Sequence, residues 1–294
     1  MTETSLLSLL RRLPLHPGAR GLADDAAVIG DLVLTKDMLV EGVHYRADDP
    51  PADVAWKLLA VNLSDLAAKG AVPIGVLMGF TLGDAAWDRA FVEGLGEALV
   101  AFGVPLLGGD TVSTPARQAR VLSLTAIGRA PTAPARSGER PGDGLWLCGT
   151  IGDAGAGLRL LERDAGATGP LVDAYRRPRP LLVEGQRLAA VATAMMDVSD
   201  GLLIDAARLA EASAVAITID LDAVPMSPEG AAFWGEDRIG AATAGDDYAL
   251  LLTATGPVPG AVRIGTVGAG AGLSLQQDGA SRALPERLGW LHGQ

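Results

Sequence analysis

The chain has 294 residues, of which 49% are hydrophobic, so it can bury the core of one large domain or two ordinary ones and is not a disordered chain. Its 35 Asp and Glu residues outnumber 24 Lys and Arg residues and give a formal charge of −11, which disfavours a nucleic-acid binder that relies on a basic surface. Asp outnumbers Glu by 24 to 11, and only three lysines stand beside 21 arginines.

Hydrophobic periodicity divides the first half of the chain into helices and strands. Helices are predicted at 5–12, 53–69 and 85–102. Strands are predicted at 26–29, 32–35, 72–82, 104–107 and 121–127. The stretch 130–143 contains three prolines and ends in a turn signal, so it is the predicted linker.

The second half shows the same mixture. Helices are predicted at 154–163, 181–191 and 201–212, with a polar, proline-rich loop at 175–180. Strands are predicted at 145–148, 215–219, 248–253, 262–267 and 273–277. Because neither half alternates strictly between strand and helix, we expect two α+β domains, at 1–133 and 134–294, rather than one doubly wound sheet.

Several classes of protein are excluded by inspection. No apolar run reaches the length of a membrane span, and Glu3 precedes Arg11 and Arg12, the wrong order for a signal peptide, so we expect a cytoplasmic protein. The single cysteine, Cys148, lies in an apolar run and is expected to be a buried strand thiol. The chain has no P-loop, no G-x-G-x-x-G and no H-E-x-x-H, and only three histidines. Its chemistry must therefore rely on oxygen ligands.

The aspartates gather in small clusters beside glycine or near the ends of apolar runs. One such cluster is ordinary turn chemistry, but six in one chain indicate a site for hard cations, because Mg²⁺ takes oxygen ligands in tight octahedral geometry. Asp65 is unusual because it lies within a predicted helix, where its alternative role is an ion pair with Lys69 four residues later. The clustered aspartates are Asp24, Asp25, Asp37, Asp65, Asp110, Asp197, Asp200, Asp246 and Asp247.

The same segments resemble a known family. The chain contains, in order, G-L-A-D-D-A-A-V, T-K-D-M-L-V-E-G-V-H-Y, A-V-N-L-S-D-L-A-A-K-G-A-x-P, L-L-G-G-D-T, R-S-G-x-x-P-G-D, M-D-V-S-D-G-L and G-D-D-Y-A-L. This order resembles thiamine-monophosphate kinases from residue 21 to the terminal G-W-L-H. L-G-G-D-T and D-x-S-D-G are shared with a wider superfamily of ATP-using enzymes, whereas A-V-N-L-S-D-L-A-A-K-G is more specific to the kinase branch.

The resemblance implies a role for each matching position. It implies that Gly109, Asp110, Arg136 and Ser199 contact ATP, and that His44, Asp246 and Trp290 contact thiamine phosphate. It implies a magnesium shell made of Asp25, Thr35, Lys36, Asp37, Asp65, Asp110, Asp197 and Asp200. It also implies a homodimer in which the N-terminal domains pair their sheets and ATP lies in a groove between the two domains.

The implied reaction transfers the γ-phosphoryl group of ATP to the phosphate of thiamine phosphate, giving thiamine diphosphate and ADP with the help of several Mg²⁺ ions. An acceptor phosphate is already ionised at neutral pH, because its second pKa is about 6. The reaction therefore needs no general base, and no dedicated catalytic side chain is predicted.

Two positions depart from the family pattern. Position 36 is normally a small hydroxyl residue and is Lys36 here. A metal contact through the backbone tolerates this change, whereas a side-chain contact is lost or replaced by an ammonium group. The usual glutamate of G-G-E-D-Y is the shorter Asp246.

Four implied site residues also have structural interpretations. Trp290 can be a terminal hydrophobic plug, and His44 can close its turn with a hydrogen bond. Ser199 can cap the helix that begins near Asp200, and Arg136 can be a solvated charge of the linker.

Two other functions stay open at this point. One is an ATP-dependent synthetase of the same superfamily, similar to aminoimidazole ribonucleotide synthetase. The other is a nucleotide-binding scaffold whose aspartates hold metal for structure only. The segment around Asp65 and the terminal Trp290 favour the kinase over the synthetase, and the full set of aspartates disfavours the scaffold.

Overall fold

The computed structural model describes residues 2–113 and 118–291, which form two α+β lobes, each built on its own sheet. The predicted α+β class is therefore confirmed. The strands of the first sheet all precede residue 130, and those of the second all follow residue 143. The predicted division between 133 and 134 thus falls within the segment that joins the two sheets.

The first sheet has five strands in the order β1-β2-β5-β3-β4, with β3 and β4 parallel and the other neighbours antiparallel. Its strands are β1 (Ala27–Ile29), β2 (Leu32–Val40), β3 (Val72–Leu82), β4 (Leu106–Ser113) and β5 (Val121–Arg129). The helices of this half are α1 (Glu3–Leu10), α2 (Pro51–Ala68) and α3 (Ala85–Phe102).

The second sheet has seven strands in the order β12-β11-β8-β10-β6-β9-β7. Its strands are β6 (Gly144–Cys148), β7 (Ala194–Val198), β8 (Ala216–Asp220), β9 (Ala249–Ala254), β10 (Val262–Gly268), β11 (Gly272–Gln277) and β12 (Ala280–Arg282). The helices of this half are α4 (Asp153–Arg163), α5 (Pro170–Arg176), α6 (Leu182–Ala189), α7 (Leu202–Ser213), α8 (Pro228–Trp234) and α9 (Arg238–Ala242).

Helix α2 belongs to the cores of both lobes. Its leucines, among them Leu58 and Leu63, pack with the first sheet, while Ala67 and Ala68 at its end pack with Met195 and other apolar residues of the second sheet. An α-helix that is buried on nearly every side lies in the interior of a protein rather than on its surface. Polar side chains that α2 carries are therefore forced into the region between the lobes.

The pleat of the first sheet decides which strand residues face α2. Successive side chains of a strand point to opposite faces. In β2, Thr35 is buried and the Asp37 backbone N–H donates to the side chain of Asn62 on α2, 2.9 Å away, whereas Lys36 and Met38 are exposed on the other face. We call the face of the first sheet that points away from α2 the outer face. Besides Met38, it carries Leu77 and Val112, and all three are exposed.

Most predicted elements are present, and the differences concern short or mixed segments. Strand β2 continues to Val40, so Asp37 lies within the strand rather than at its end. Strand β4 begins two residues later than predicted and contains L-L-G-G-D-T, so Asp110 is also a strand residue. Strands β7 and β12 and helices α5, α8 and α9 were not predicted. Cys148 is a buried thiol in β6, as expected.

Within residues 2–113 and 118–291, no helix combines the length and the apolar character needed to cross a bilayer.

Candidate functional site

Three aspartates from three different elements converge between the lobes. Asp25 precedes β1, Asp65 lies in the interior of α2, and Asp197 lies on β7. Each offers a carboxylate oxygen, and these oxygens all lie within 4.8 Å of one another. Oxygen-only ligands at this spacing suit a hard cation such as Mg²⁺. We call these three residues the carboxylate cluster.

Two residues of β2 extend the cluster. The Thr35 hydroxyl donates to a carboxylate oxygen of Asp65 and also lies 3.2 Å from the backbone oxygen of Asp25. Burial, with the nearby charges of Asp200 and Asp25, raises the pKa of Asp37 to about 6. The strand and the helix together thus deliver polar oxygens to one point, and five of the predicted metal ligands meet there.

The cluster contains more negative charge than its surroundings balance. Burial raises the pKa of Asp65 well above its usual range, and the charges of Asp37 and Asp197 raise it further. Burial and the charge of Asp25 raise the pKa of Asp197 to about 8, although Ser64 donates to it at 2.6 Å. Like charges held together in a low-dielectric interior favour protonation or a bound cation. The donor set therefore fits a magnesium site.

Two cations beside the cluster engage Asp24 or Asp25. The ammonium of Lys69 is fully buried and lies 2.5 Å from Asp24 and 2.7 Å from Asp25. The Arg136 guanidinium lies 2.5 Å from Asp25. Burial alone would raise the pKa of Asp25, but Lys69 and Arg136 outweigh burial and lower it. Lys69 therefore pairs with the Asp24–Asp25 segment and not with Asp65, and Arg136 is not a solvated charge of the linker.

The backbone of residues 198–200 joins the cluster to other predicted site residues. The carbonyl oxygens of Val198, Ser199 and Asp200 accept hydrogen bonds from the backbone N–H groups of Tyr248, Asp246 and Trp290, at 2.8, 2.7 and 2.9 Å. Asp246 and Trp290, which are predicted to contact the substrate, are thus fixed to backbone oxygens two and three positions after Asp197. The side chain of Trp290 is half-exposed, so it is not a buried terminal plug.

Asp205 holds this loop in place. Helix α7 begins at Leu202 after Gly201, which has no side chain to cap it, and the Asp205 carboxylate accepts the N–H groups of Ser199 and Asp200 at 3.0 and 3.1 Å. The interpretation of Ser199 as the cap is therefore wrong. Arg208 binds both Asp200 and Asp205, at 2.5 and 2.7 Å.

A cavity of about 710 Å³ opens beside this loop. It lies between the lobes, and its lining includes Trp56 from α2, Arg177 after α5, and Asp246 and Tyr248. A cavity of this size accommodates a small organic ligand. Its wall contains aromatic surface, a cationic group and a carboxylate, so it can take a ligand with both polar and aromatic parts.

Asp110 and Lys36 do not belong to the cluster. Asp110 pairs with Gly79 on β3, which pairs with Ser123 on β5, so the pleat places Asp110 on the outer face. Two strands separate β4 from β2, so Asp110 is about 14 Å from the β2 backbone. The Lys36 ammonium donates to Ser123 on the outer face at 3.1 Å. The Lys36 side chain therefore points away from the cluster, and only its backbone could contact metal there.

Gly109 and His44 have evident structural roles. A Cβ atom at Gly109 would lie 1.9 Å from the backbone oxygen of Met78, so this position excludes any side chain. The ring Nδ1 of His44 accepts the N–H of Val40 at 3.0 Å, and the His44 N–H returns to the Val40 oxygen at 2.9 Å. His44 therefore closes the turn after β2, which the sequence had left as an alternative to substrate contact.

The chain is similar in sequence to known proteins. Family models described as AIR synthase related protein, N-terminal domain and C-terminal domain, match residues 23–130 and 140–278. The thiamine-monophosphate kinase of Caulobacter vibrioides is 40% identical over 94% of this chain and 86% of its own length. The chain belongs to the thiamine-monophosphate kinase family.

Two solved structures of similar proteins share the fold. AaThiL complexed with AMPPCP and TMP has a TM-score of 0.86 and 29% identity, over 99% of this chain and 97% of that one. The thiamine monophosphate kinase of Aquifex aeolicus has a TM-score of 0.82 and 28% identity, over 96% of this chain and 99% of that one. The two-lobed arrangement described above is therefore the arrangement of this kinase family.

Sequence reasoning missed the residues that hold the site of this family member together. They are Lys57, Ser64, Asp205, Arg208 and Tyr248, together with the pairing of Lys69 with Asp24 and Asp25 instead of Asp65. The rarity of lysine was a usable signal, because two of the three lysines lie in the predicted helix 53–69, and the structure buries both. A buried lysine needs an acidic partner.

Proposed function

We propose that this protein transfers the γ-phosphoryl group of ATP to the phosphate of thiamine phosphate, giving thiamine diphosphate and ADP. The observation that carries the proposal is the cluster of Asp25, Asp65 and Asp197, which both lobes build beside a cavity that suits an organic ligand. Membership of the thiamine-monophosphate kinase family and the likeness to AaThiL complexed with AMPPCP and TMP support the choice of ATP and thiamine phosphate.

The chemistry follows from bringing two polyanions together. Mg²⁺ ions bound by the aspartates would neutralise the phosphates and align them for in-line transfer. Asp25, Thr35, Asp37, Asp65, Asp197 and Asp200, with the backbone at Lys36, hold these ions in the proposal. Asp110 lies on the outer face, so any ion that it holds would be separate from those of the cluster. No side chain acts as general base, because the acceptor phosphate is already ionised at neutral pH.

The remaining residues bind the two substrates. Arg136 is already engaged with Asp25 and supplies a forked donor for a phosphate of ATP, and Ser199 and Gly109 are further ATP contacts in the proposal. Asp246, which lines the cavity, and Trp290, whose backbone N–H donates to Asp200, contact thiamine phosphate. Trp290 presents a half-exposed aromatic face to a cationic ring. His44 joins them in the proposal, in addition to its hydrogen bond with Val40.

A homodimer is part of the proposal. The outer face of the first sheet exposes Met38, Leu77 and Val112, with 49%, 40% and 53% of each residue accessible, and β4 is an edge strand. An uncovered apolar sheet face with a free edge is a typical docking surface. Sedimentation equilibrium should therefore give twice the mass of one chain, and Leu77→Asp should give monomers. We also place the protein in the cytoplasm, where both substrates would be available.

A panel of phosphorylated acceptors tests the proposal. Purified protein is incubated with ATP, Mg²⁺ and either thiamine phosphate or the ribonucleotide substrate of aminoimidazole ribonucleotide synthetase, and ADP release is followed. We expect ADP release in the reaction that contains thiamine phosphate and none in the reaction that contains the ribonucleotide. Release only with the ribonucleotide would instead assign the protein to the synthetase branch of the superfamily.

A further inference from the structure

Lys57 is a buried cation that the cluster does not use. It lies in α2, and only 3% of its side chain is exposed. Burying an ammonium group is unfavourable unless a partner compensates for the lost water. The chain has 21 arginines and three lysines, so a lysine at this position reflects a site that needs a compact ammonium group rather than a planar fork.

The partner of Lys57 lies in the other lobe. Its ammonium is 2.7 Å from Oδ2 of Asp246 and 4.0 Å from the centre of the Tyr175 ring. The ring face stabilises the cation from one side and the carboxylate from another. Lys57 stands behind Asp246, which lines the cavity.

The second carboxylate oxygen and the backbone of Asp246 are also held by hydrogen bonds. Its second oxygen, Oδ1, accepts the Tyr248 hydroxyl at 3.0 Å. Its backbone has a φ of 62°, a left-handed conformation that is unfavourable for aspartate, and its N–H donates to Ser199 at 2.7 Å. The side chain is nevertheless 36% exposed. Asp246 therefore presents to the cavity a carboxylate whose orientation is fixed before any ligand binds.

Pairing with Lys57 changes what this carboxylate can recognise. The ammonium balances the charge of Asp246, so the pair has little net attraction for a distant cation. The oxygens keep lone pairs that face the cavity, and these remain directional acceptors for an N–H donor. The aminopyrimidine of thiamine has such a donor in its exocyclic amino group, whereas the thiazolium nitrogen carries charge but no hydrogen.

We propose that Lys57 is a positioning residue that orients Asp246 to accept a hydrogen bond from the exocyclic amino group of the thiamine pyrimidine. The inference rests on the proposed function and adds the contact that selects the substrate. It also explains how the shorter Asp246 can contact the substrate where the family pattern has glutamate, because Lys57 and Tyr248 each bind one of its carboxylate oxygens.

Substrate discrimination by wild type and Lys57→Met tests this role. The substrates are thiamine phosphate and its analogue with an oxo group in place of the amino group. A site built to accept an N–H donor rejects the analogue that lacks it. We expect wild type to prefer thiamine phosphate at least about tenfold in kcat/KM, because a hydrogen bond to a charged group is worth about 1.5–3 kcal/mol. In Lys57→Met this preference should shrink several-fold while the KM for ATP changes less than about twofold.

Two further variants separate positioning from folding. Tyr248→Phe removes the hydrogen bond to Asp246 Oδ1 without changing charge. It should reduce the preference for thiamine phosphate less than Lys57→Met does. Lys57→Met combined with Asp246→Asn should discriminate no worse than Asp246→Asn alone, because a neutral side chain needs no ammonium. If Lys57→Met does not fold, Tyr248→Phe still tests whether the fixed orientation of Asp246 sets the preference.

The outcomes distinguish this inference from the proposed function. An unchanged preference in Lys57→Met and Tyr248→Phe, or an equal rise in KM for both substrates, would overturn the role of Lys57 and leave the kinase activity intact. Absence of thiamine diphosphate with wild type would overturn both.

Discussion

The carboxylate cluster and the Lys57–Asp246 pair, which we call the Asp246 pocket, compensate buried charge in different ways. In the pocket, one ammonium meets one carboxylate that is partly exposed, so the charges balance without a ligand. In the cluster, the nearby cations Lys69 and Arg136 both engage Asp25, and the pKa values of Asp37, Asp65 and Asp197 are raised by burial and by the charges of neighbouring aspartates. The pocket is therefore preorganised, whereas the cluster reaches charge balance only with protons or bound cations.

Both regions depend on helix α2. Lys57, near its start, reaches the pocket, and Lys69, which follows its last turn, reaches Asp24 and Asp25. The two lysines lie at opposite ends of the same helix. The partner of Lys57 is partly exposed, whereas the partners of Lys69 are buried. Substitutions at these ends therefore separate the energetics of the two regions.

The largest expected effect is the loss of turnover in Asp65→Asn or Asp197→Asn. Removing one metal ligand should lower kcat by about 100-fold or more, as loss of a group that stabilises transition-state charge typically does. The melting temperature of the metal-free protein should stay the same or rise, because asparagine cannot ionise and so avoids the cost of a buried carboxylate beside like charges. Steady-state kinetics and calorimetry measure the two effects. Glu97→Gln, at an exposed position of α3, is the control. A large fall in melting temperature with turnover intact would assign the cluster a structural role.

The next effect is on stability and separates the two lysines. Lys69→Met leaves the buried carboxylates of Asp24 and Asp25 without their ammonium and should lower the free energy of unfolding by about 3–5 kcal/mol. Lys57→Met should cost about 1 kcal/mol or less, because water can reach Asp246. Urea denaturation of both variants gives the comparison. Equal losses would contradict the difference in charge balance.

The pH dependence of stability is expected to be opposite to that of a typical salt-bridged carboxylate. Burial raises the pKa of Asp37 to about 6 and of Asp197 to about 8, from 3.8. The folded protein thus holds protons that the unfolded chain releases, so the metal-free fold should lose stability as the pH rises from about 5 to about 8. Asp25 has a lowered pKa and does not titrate in this window.

Added Mg²⁺ should reverse this trend, because it binds the ionised carboxylates and competes with protons. The Mg²⁺-induced rise in melting temperature should be larger at about pH 8 than at about pH 5. Differential scanning calorimetry with and without chelator measures it, with Asp197→Asn as the matched variant that weakens the dependence. A rise that is independent of pH would show that Mg²⁺ binds elsewhere.

The smallest effect is expected for Lys36→Ser, which restores a small hydroxyl residue at this position. The Lys36 side chain is exposed on the outer face and donates to Ser123, so its loss should change stability by less than about 0.5 kcal/mol and turnover by less than about twofold. A tenfold change in the Mg²⁺ dependence of turnover would mean that the side chain reaches the cluster after all.

The sequence predicted the long elements well, because their periodicity extends over many residues. Strand Val72–Leu82 and helix Ala85–Phe102 have the predicted bounds. Strand Ala194–Val198 was missed because it is buried throughout and therefore shows no alternation. The short helices α5, α8 and α9 span seven residues or fewer, which is too short for a periodic signal.

The site was predicted by residue type more reliably than by arrangement. The convergence of Asp25, Asp65 and Asp197 agrees with the metal site expected from their clustering. The separation of Asp110 could not be predicted, because it depends on the extra length of β4, on strand order and on the face to which the pleat assigns the residue. Lys57, and the pairing of Lys69 with Asp24, were missed because the partners lie more than 40 residues away in sequence.

Phosphorus NMR of the complete reaction tests the central claim most directly. The protein is incubated with ATP, Mg²⁺ and thiamine phosphate, and the phosphorus resonances are followed over time. The account predicts that the thiamine phosphate signal is replaced by the coupled pair of thiamine diphosphate, in step with formation of ADP and without release of inorganic phosphate. Conversion of ATP to ADP and inorganic phosphate with thiamine phosphate unchanged would contradict it.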